Sequence, residues 1–131
     1  NVGQFIPKGQ VIYIASDERN KTFFLPFKDR FPTVRFLDDY FDKAGLDKLN
    51  PNFLGMIEAV VCSRGEQFIG TWFSTFSGYI TRMRGYLGYP DTTVWYGDMK
   101  HRDRFQVPEV AKFPFYMREW NVSWYNIDID A

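Results

Sequence analysis

The stretch Phe68–Arg84, FIGTWFSTFSGYITRMR, constrains the fold of this chain more than any other. Apolar residues run into Gly70, and hydroxyl-bearing residues follow at Thr71, Ser74, Thr75 and Ser77. Beyond them Phe76, Tyr79, Ile80, Met83 and Leu87 share one face at helical spacing, with Arg82 off that face and Arg84 at its edge. The pattern predicts a buried strand, a tight turn, and an amphipathic helix. The first turn of such a helix offers amide N–H groups that lack carbonyl partners, and the positive end of the helix dipole points the same way. Phosphates and other anions bind at such starts.

The rest of the chain is read against that unit. Val11–Ala15 (VIYIA) is a β-rich run with no polar face, which predicts a buried strand closed by Ser16-Asp17-Glu18. In an open parallel sheet ligands lie beyond the carboxyl ends of strands, so Asp17 is either a ligand contact or a helix N-cap. Lys21–Arg30 reads as a short irregular helix broken by Pro26 and stopped by Pro32. Thr33–Leu37 reads as a second strand, closed by Asp38-Asp39. Adjacent carboxylates suggest metal or acid–base chemistry, but neighbours on an extended chain point opposite ways, and a cap with a turn is the simpler reading.

Tyr40–Asn52 reads as a loop. Asn52–Cys62 (NFLGMIEAVVC) predicts a buried helix with Phe53, Met56 or Ile57, and Val60 or Val61 inside, and Glu58 as its sole charge. The alternation of strand and helix defines an α/β fold around a parallel sheet. After Gly85 periodicity fades. Residues 1–104 are assigned to this domain and 105–131 to an aromatic-rich extension (Phe113, Phe115, Tyr116, Trp120, Trp124, Tyr125) that packs on the domain or on a partner.

Several classes of function are excluded by composition. Sixteen acids balance sixteen bases, so no overall field draws nucleic acid. No apolar run approaches the ~20 residues needed to span a bilayer. A single cysteine, Cys62, rules out an intrachain disulfide and a cysteine-built zinc site, and its apolar setting suits an inert thiol. His101, the one histidine, has neither a second ligand nor a nucleophile signature beside it. Two N-glycosylation sequons, Asn20-Lys-Thr22 and Asn121-Val-Ser123, permit a secretory-pathway location without demanding it. The first residues, NVGQFIPKGQ, contain no initiator Met or signal peptide, which suggests a processed or truncated piece.

Three ordered blocks, IYIASDE, VRFLDDY and MIEAVVCSRGEQFIGTWFSTFSGYITRMRGY, resemble the C-terminal half of the GDP-fucose protein O-fucosyltransferase family across Val11–Tyr86. The resemblance implies one Rossmann-like half of a two-domain, GT-B-type glycosyltransferase that transfers fucose from GDP-fucose to Ser or Thr of an acceptor protein in the ER or Golgi lumen. It implies no metal and no cofactor beyond the donor itself. By the same resemblance Ser74, Thr75, Phe76 and Ser77 hold the diphosphate, supported by Gly70, Thr71, Arg82 and Arg84, while Asp17 and Glu58 face the nucleoside. The family's upstream H-x-R block is not in this sequence, so no catalytic residue is assigned. The chain is expected to need a missing N-terminal half or another protein chain for turnover. Two other readings stay open: a non-catalytic structural subunit that retains the half-fold, and a module for a different sugar nucleotide.

Overall fold

In the computed structural model the described residues are 6–71, 74–97 and 105–106. They fall into two compact units, Asn1–Glu58 and Ala59–Ala131. Each contains a small parallel sheet with flanking helices, the local arrangement of an α/β fold.

In the first unit, strand β1 (Val11–Tyr13) pairs in parallel with β2 (Thr33–Arg35), Val11 opposite Thr33 and Tyr13 opposite Arg35. The pairing extends one bond further, from Ile14 N–H to the Arg35 carbonyl. Parallel strands need a crossover, and here it is a 3-10 turn (Lys21–Phe24) running into the single-turn helix α1 (Leu25–Lys28). Pro26 lies in the first turn of α1, where its missing N–H costs nothing. Among the described residues of this unit, Phe24, Phe31 and Leu46 are the buried apolar ones. Phe24 anchors the packing, its ring edge-on to Phe23 at 5.2 Å and tilted against Phe36 at 5.3 Å.

Two expectations for this unit are corrected. The first strand is not buried: Val11 is 65% exposed, and Ile12, Tyr13 and Ile14 are half-buried. Nor does Asp17 cap the following helical turn. Asn20 does so, its Oδ1 accepting from the Thr22 N–H at 3.1 Å, and Asp17 stands exposed in a bend. The Asp38-Asp39 pair resolves into a cap and an ion pair: Asp39 Oδ2 accepts from Phe36 N–H at 2.8 Å, and Asp38 sits 3.2 Å from Lys21. The stretch read as a loop carries a short 3-10 turn, Leu46–Lys48, entered through Gly45 at φ +64°.

Helix α2 (Leu54–Ser63) follows another 3-10 turn, Pro51–Phe53, capped by Asn50. Its buried residues are Ala59 and Ser63, with Cys62 half-buried against the core. Of the large apolar residues read as its inner face, Phe53, Met56, Val60 and Val61 are exposed and Ile57 is half-buried. Small residues take the inside because they allow close approach, and periodicity cannot distinguish a face chosen for size from one chosen for hydropathy.

In the second unit, β3 (Phe68–Thr71) leads into α3 (Thr75–Tyr86), which returns to β4 (Val94–Gly97) parallel to β3, Phe68 opposite Val94 and Thr71 opposite Gly97. The two-residue strand β5 (Phe105–Gln106) adds antiparallel to β4. Ala59, Phe68, Ile80 and Val94 form the core, with Cys62 and Met83 packed against it. β4 is absent from the sequence reading, although TTVWY is a β-branched and aromatic run of the type that favours strands. The aromatic tail, His101 and the Asn121 sequon lie outside the described residues. Among the described residues, no helix is long and apolar enough to cross a membrane.

Candidate anion-binding site at the start of the third helix

Helix α3 begins at Ser74, whose extended backbone (φ −104°, ψ 115°) and hydroxyl form an N-cap: Ser74 Oγ accepts from the Ser77 N–H at 3.2 Å. Ser77 in turn ties the helix to the strand before it. Its Oγ accepts from the Thr71 N–H at 3.0 Å, and its carbonyl accepts from the Thr81 hydroxyl at 3.0 Å. Gly70 makes this approach possible. A Cβ there would lie 2.8 Å from both Cβ and Oγ of Ser77, so only glycine lets the helix come this close to β3. The turn is therefore fixed from both ends, at Gly70–Thr71 and at Ser77.

With the Ser77 amide capped, Thr75 and Phe76 supply the first-turn N–H groups that have no carbonyl one turn behind them. Thr75 and Phe76 are exposed, and Ser74 is half-buried. The sequence-predicted cradle thus divides by role. Thr75 and Phe76 present donors, Ser74 caps and can lend its hydroxyl hydrogen, and Ser77 and Gly70 hold the frame.

The two arginines do not join this helix start. At 1.5 Å rise per residue, Arg82 lies roughly 10 Å and Arg84 roughly 13 Å along the axis from Thr75. Arg82 donates to the Tyr86 hydroxyl at 3.3 Å. Arg84, read as an edge residue, is fully buried. Its guanidinium donates to the carbonyls of Ser63 (3.2 Å), Gly65 and Glu66 (3.2 Å) and to Thr93 Oγ1 (2.7 Å). It also stacks 4.4 Å from the centre of the Tyr89 ring. Burial lowers the guanidinium pKa from its usual range while Tyr89 pulls it back up. Arg84 thus joins the turn after α2 to the turn before β4 through both terminal nitrogens of its planar fork, a span that one ammonium does not cover, while its buried Nε has no hydrogen-bond partner among the described residues.

The inner face of α3 is only in part the one read from spacing. Ile80 is fully buried and Met83 packs against the core as expected, but Phe76, Tyr79 and Leu87 are exposed, and Ser77, Gly78, Thr81 and Arg84 are buried in their stead. The helix ends in a Schellman motif: Gly88 at φ +79° donates to the Gly85 carbonyl, and Tyr89 N–H donates to the Arg84 carbonyl, both at 3.0 Å. That motif brings the Tyr89 ring back over Arg84.

Of the two acids that the family resemblance sets toward the nucleoside, Glu58 is half-buried and accepts from the Tyr13 hydroxyl at 3.4 Å. Desolvation raises its pKa above the ordinary 4.5; the Tyr13 hydrogen bond and Lys21 oppose this, and Asp38 adds to it. Tyr13 was not singled out from the sequence, and nothing in VIYIA marks it. Among the described residues no group of three or more His, Cys, Asp or Glu is placed to hold a metal ion.

Comparison with known families connects this geometry to a class. A family described as GDP-fucose protein O-fucosyltransferase matches residues 2–87, which include β1, β2, β3 and all of α3. The chain belongs to the GDP-fucose protein O-fucosyltransferase family. No curated protein and no solved structure matched it.

Proposed function

We propose that this chain is the donor-binding portion of a protein O-fucosyltransferase, one Rossmann-like half of a GT-B-type enzyme, acting on GDP-fucose in the lumen of the secretory pathway. The observation that carries the proposal is the start of α3. It is a capped, glycine-packed helix N-terminus inside the family match, with the amides of Thr75 and Phe76 directed at whatever lies before the helix. In the transfer of fucose to a Ser or Thr hydroxyl, the bond between fucose C1 and the β-phosphate oxygen breaks, and negative charge grows on the departing GDP. Fixed amide donors need no rearrangement to meet that charge, which is why preorganised sites lower such barriers. The hydroxyls of Ser74 and Thr75 add neutral donors that follow the phosphate oxygens as charge develops.

Titration with GDP tests the reading. A ligand at about 100 times its dissociation constant adds about 2.7 kcal/mol to the folded state, a readily measured rise in melting temperature. GDP and GDP-fucose should both give this rise, and inorganic phosphate at the same concentration should give little. Absence of a shift with millimolar GDP would leave the structural-subunit reading in its place. An equal shift with UDP would point to a module for another sugar nucleotide.

A further inference from the structure

The first sequon occupies a turn whose geometry is already defined. Asn20, Lys21 and Thr22 lie at the entry to the 3-10 turn Lys21–Phe24, with Asn20 and Thr22 both exposed. Asn20 Oδ1 accepts two hydrogen bonds from Thr22, one from its N–H at 3.1 Å and one from its hydroxyl at 2.6 Å. The backbone of Asn20 is held in turn: its N–H donates to Glu18 Oε1 at 2.7 Å, and its carbonyl accepts from Phe23 N–H at 3.1 Å. All the bonding of the side-chain amide is through oxygen. Among the described residues Nδ2 donates to none.

We propose that Asn20 is an N-glycosylation site of this protein. The hydroxyl that the Asn-x-Thr motif requires two residues downstream touches the amide it serves, and Lys21 between them is compatible with the motif. The co-reactant is an oligosaccharide carried on a lipid diphosphate. Its C1–O bond to the diphosphate breaks, C1 bonds to Nδ2, one Nδ2 proton is released, and the lipid diphosphate leaves with the electron pair. Nothing is oxidised or reduced. The product is still an amide, so Oδ1 keeps both bonds to Thr22 and the cap on the helical turn survives. A glycan leaving from Nδ2 extends from an exposed capping position and displaces no buried group.

The inference rests on the lumenal location proposed above and is independent of the donor site. The full chain would be expressed in animal cells behind a cleavable secretion signal, with Asn121→Gln removing the second sequon. Intact mass would be recorded on material from lumen and medium, before and after peptide N-glycosidase. The expected result is one enzyme-removable glycan, with Asn20 converted to Asp on release. Thr22→Ser keeps the glycan, whereas Thr22→Ala and Asn20→Asp lose it. Asn20→Asp retains the capping oxygen, so its loss of glycan cannot be a failure to fold. An Asn121→Gln chain that reaches the lumen at its bare polypeptide mass would overturn the proposal. GDP titration of the deglycosylated chain reports on the donor site separately.

Discussion

Gly70 and Ser77 are in contact across the β3–α3 turn, and a methyl group on Gly70 would stand 2.8 Å from two atoms of Ser77. That distance is well inside van der Waals contact, and Ser77 has no freedom to withdraw, since its Oγ, N–H and carbonyl are all bonded. Gly70→Ala should therefore cost about 1–3 kcal/mol of stability, the usual range for overpacking a filled site. Ser77→Gly removes both clashing atoms, so the double variant should lose less than the sum of the two single changes. Denaturant midpoints of the four proteins measure the coupling. Simple additivity would show that the contact does not set the approach of α3 to β3.

Arg84 sits inside the second unit with carbonyls around it, and its removal leaves those carbonyls without donors. Arg84→Met should destabilise by about 2–5 kcal/mol, and Arg84→Lys should recover only a small part, because one ammonium cannot span the turn after α2 and Thr93 together. Below their melting temperatures both variants should bind GDP as the unmodified chain does. Calorimetric titration checks this, and a large loss of GDP affinity in a well-folded Arg84→Lys protein would restore arginine contact with the donor.

The two hydroxyls at the helix start separate stability from binding. Ser74→Ala removes the N-cap and should cost about 1 kcal/mol with no ligand present. Thr75 is exposed and makes no cap, so Thr75→Ala should change stability by less than ~0.5 kcal/mol. Both should reduce the rise in melting temperature produced by GDP. The Thr75 variant is the cleaner measurement, and an undiminished GDP shift in it would move the phosphate away from this turn.

How much of this was legible in the sequence differs from element to element. The order strand, turn, helix at Phe68–Arg84 was legible because Gly70, the hydroxyl cluster and the helical spacing all point to one local structure. The family was legible for the same reason, since the motif and the two upstream blocks occur in order. The inner face of α3 was legible only at Ile80 and Met83. Arg84 and Thr81 are polar and Phe76 and Tyr79 aromatic, so a hydropathy pattern misplaces those four. What reverses it is a set of backbone carbonyls from the turn after α2, supplied by residues about twenty positions away. The same holds for the Tyr13–Glu58 contact, forty-five residues apart in the chain, which no local pattern encodes. β4 was missed for a different reason: the strand is only four residues long and sits in an aperiodic, aromatic context.

Glu58 gives a pH dependence whose sign follows from its surroundings. Burial raises its folded-state pKa above 4.5, so over a window starting there the native chain holds a proton that the unfolded chain has lost. Stability tied to that proton is fully present below the unfolded value and is lost as pH rises through the folded one. Glu58→Gln cannot ionise and keeps an oxygen to accept from Tyr13. Its stability relative to the unmodified chain should therefore improve as pH is raised from about 4 toward neutrality, then level off once Glu58 is ionised in both states. Lys21 attracts the carboxylate, so Lys21→Met should raise the Glu58 pKa further and steepen the loss of stability with pH. Urea midpoints across that pH range test both statements. A constant difference between Glu58→Gln and the unmodified chain would mean that the Glu58 carboxyl is solvated in the folded protein, and one that shrinks as pH rises would mean that Tyr13 and Lys21 outweigh its burial.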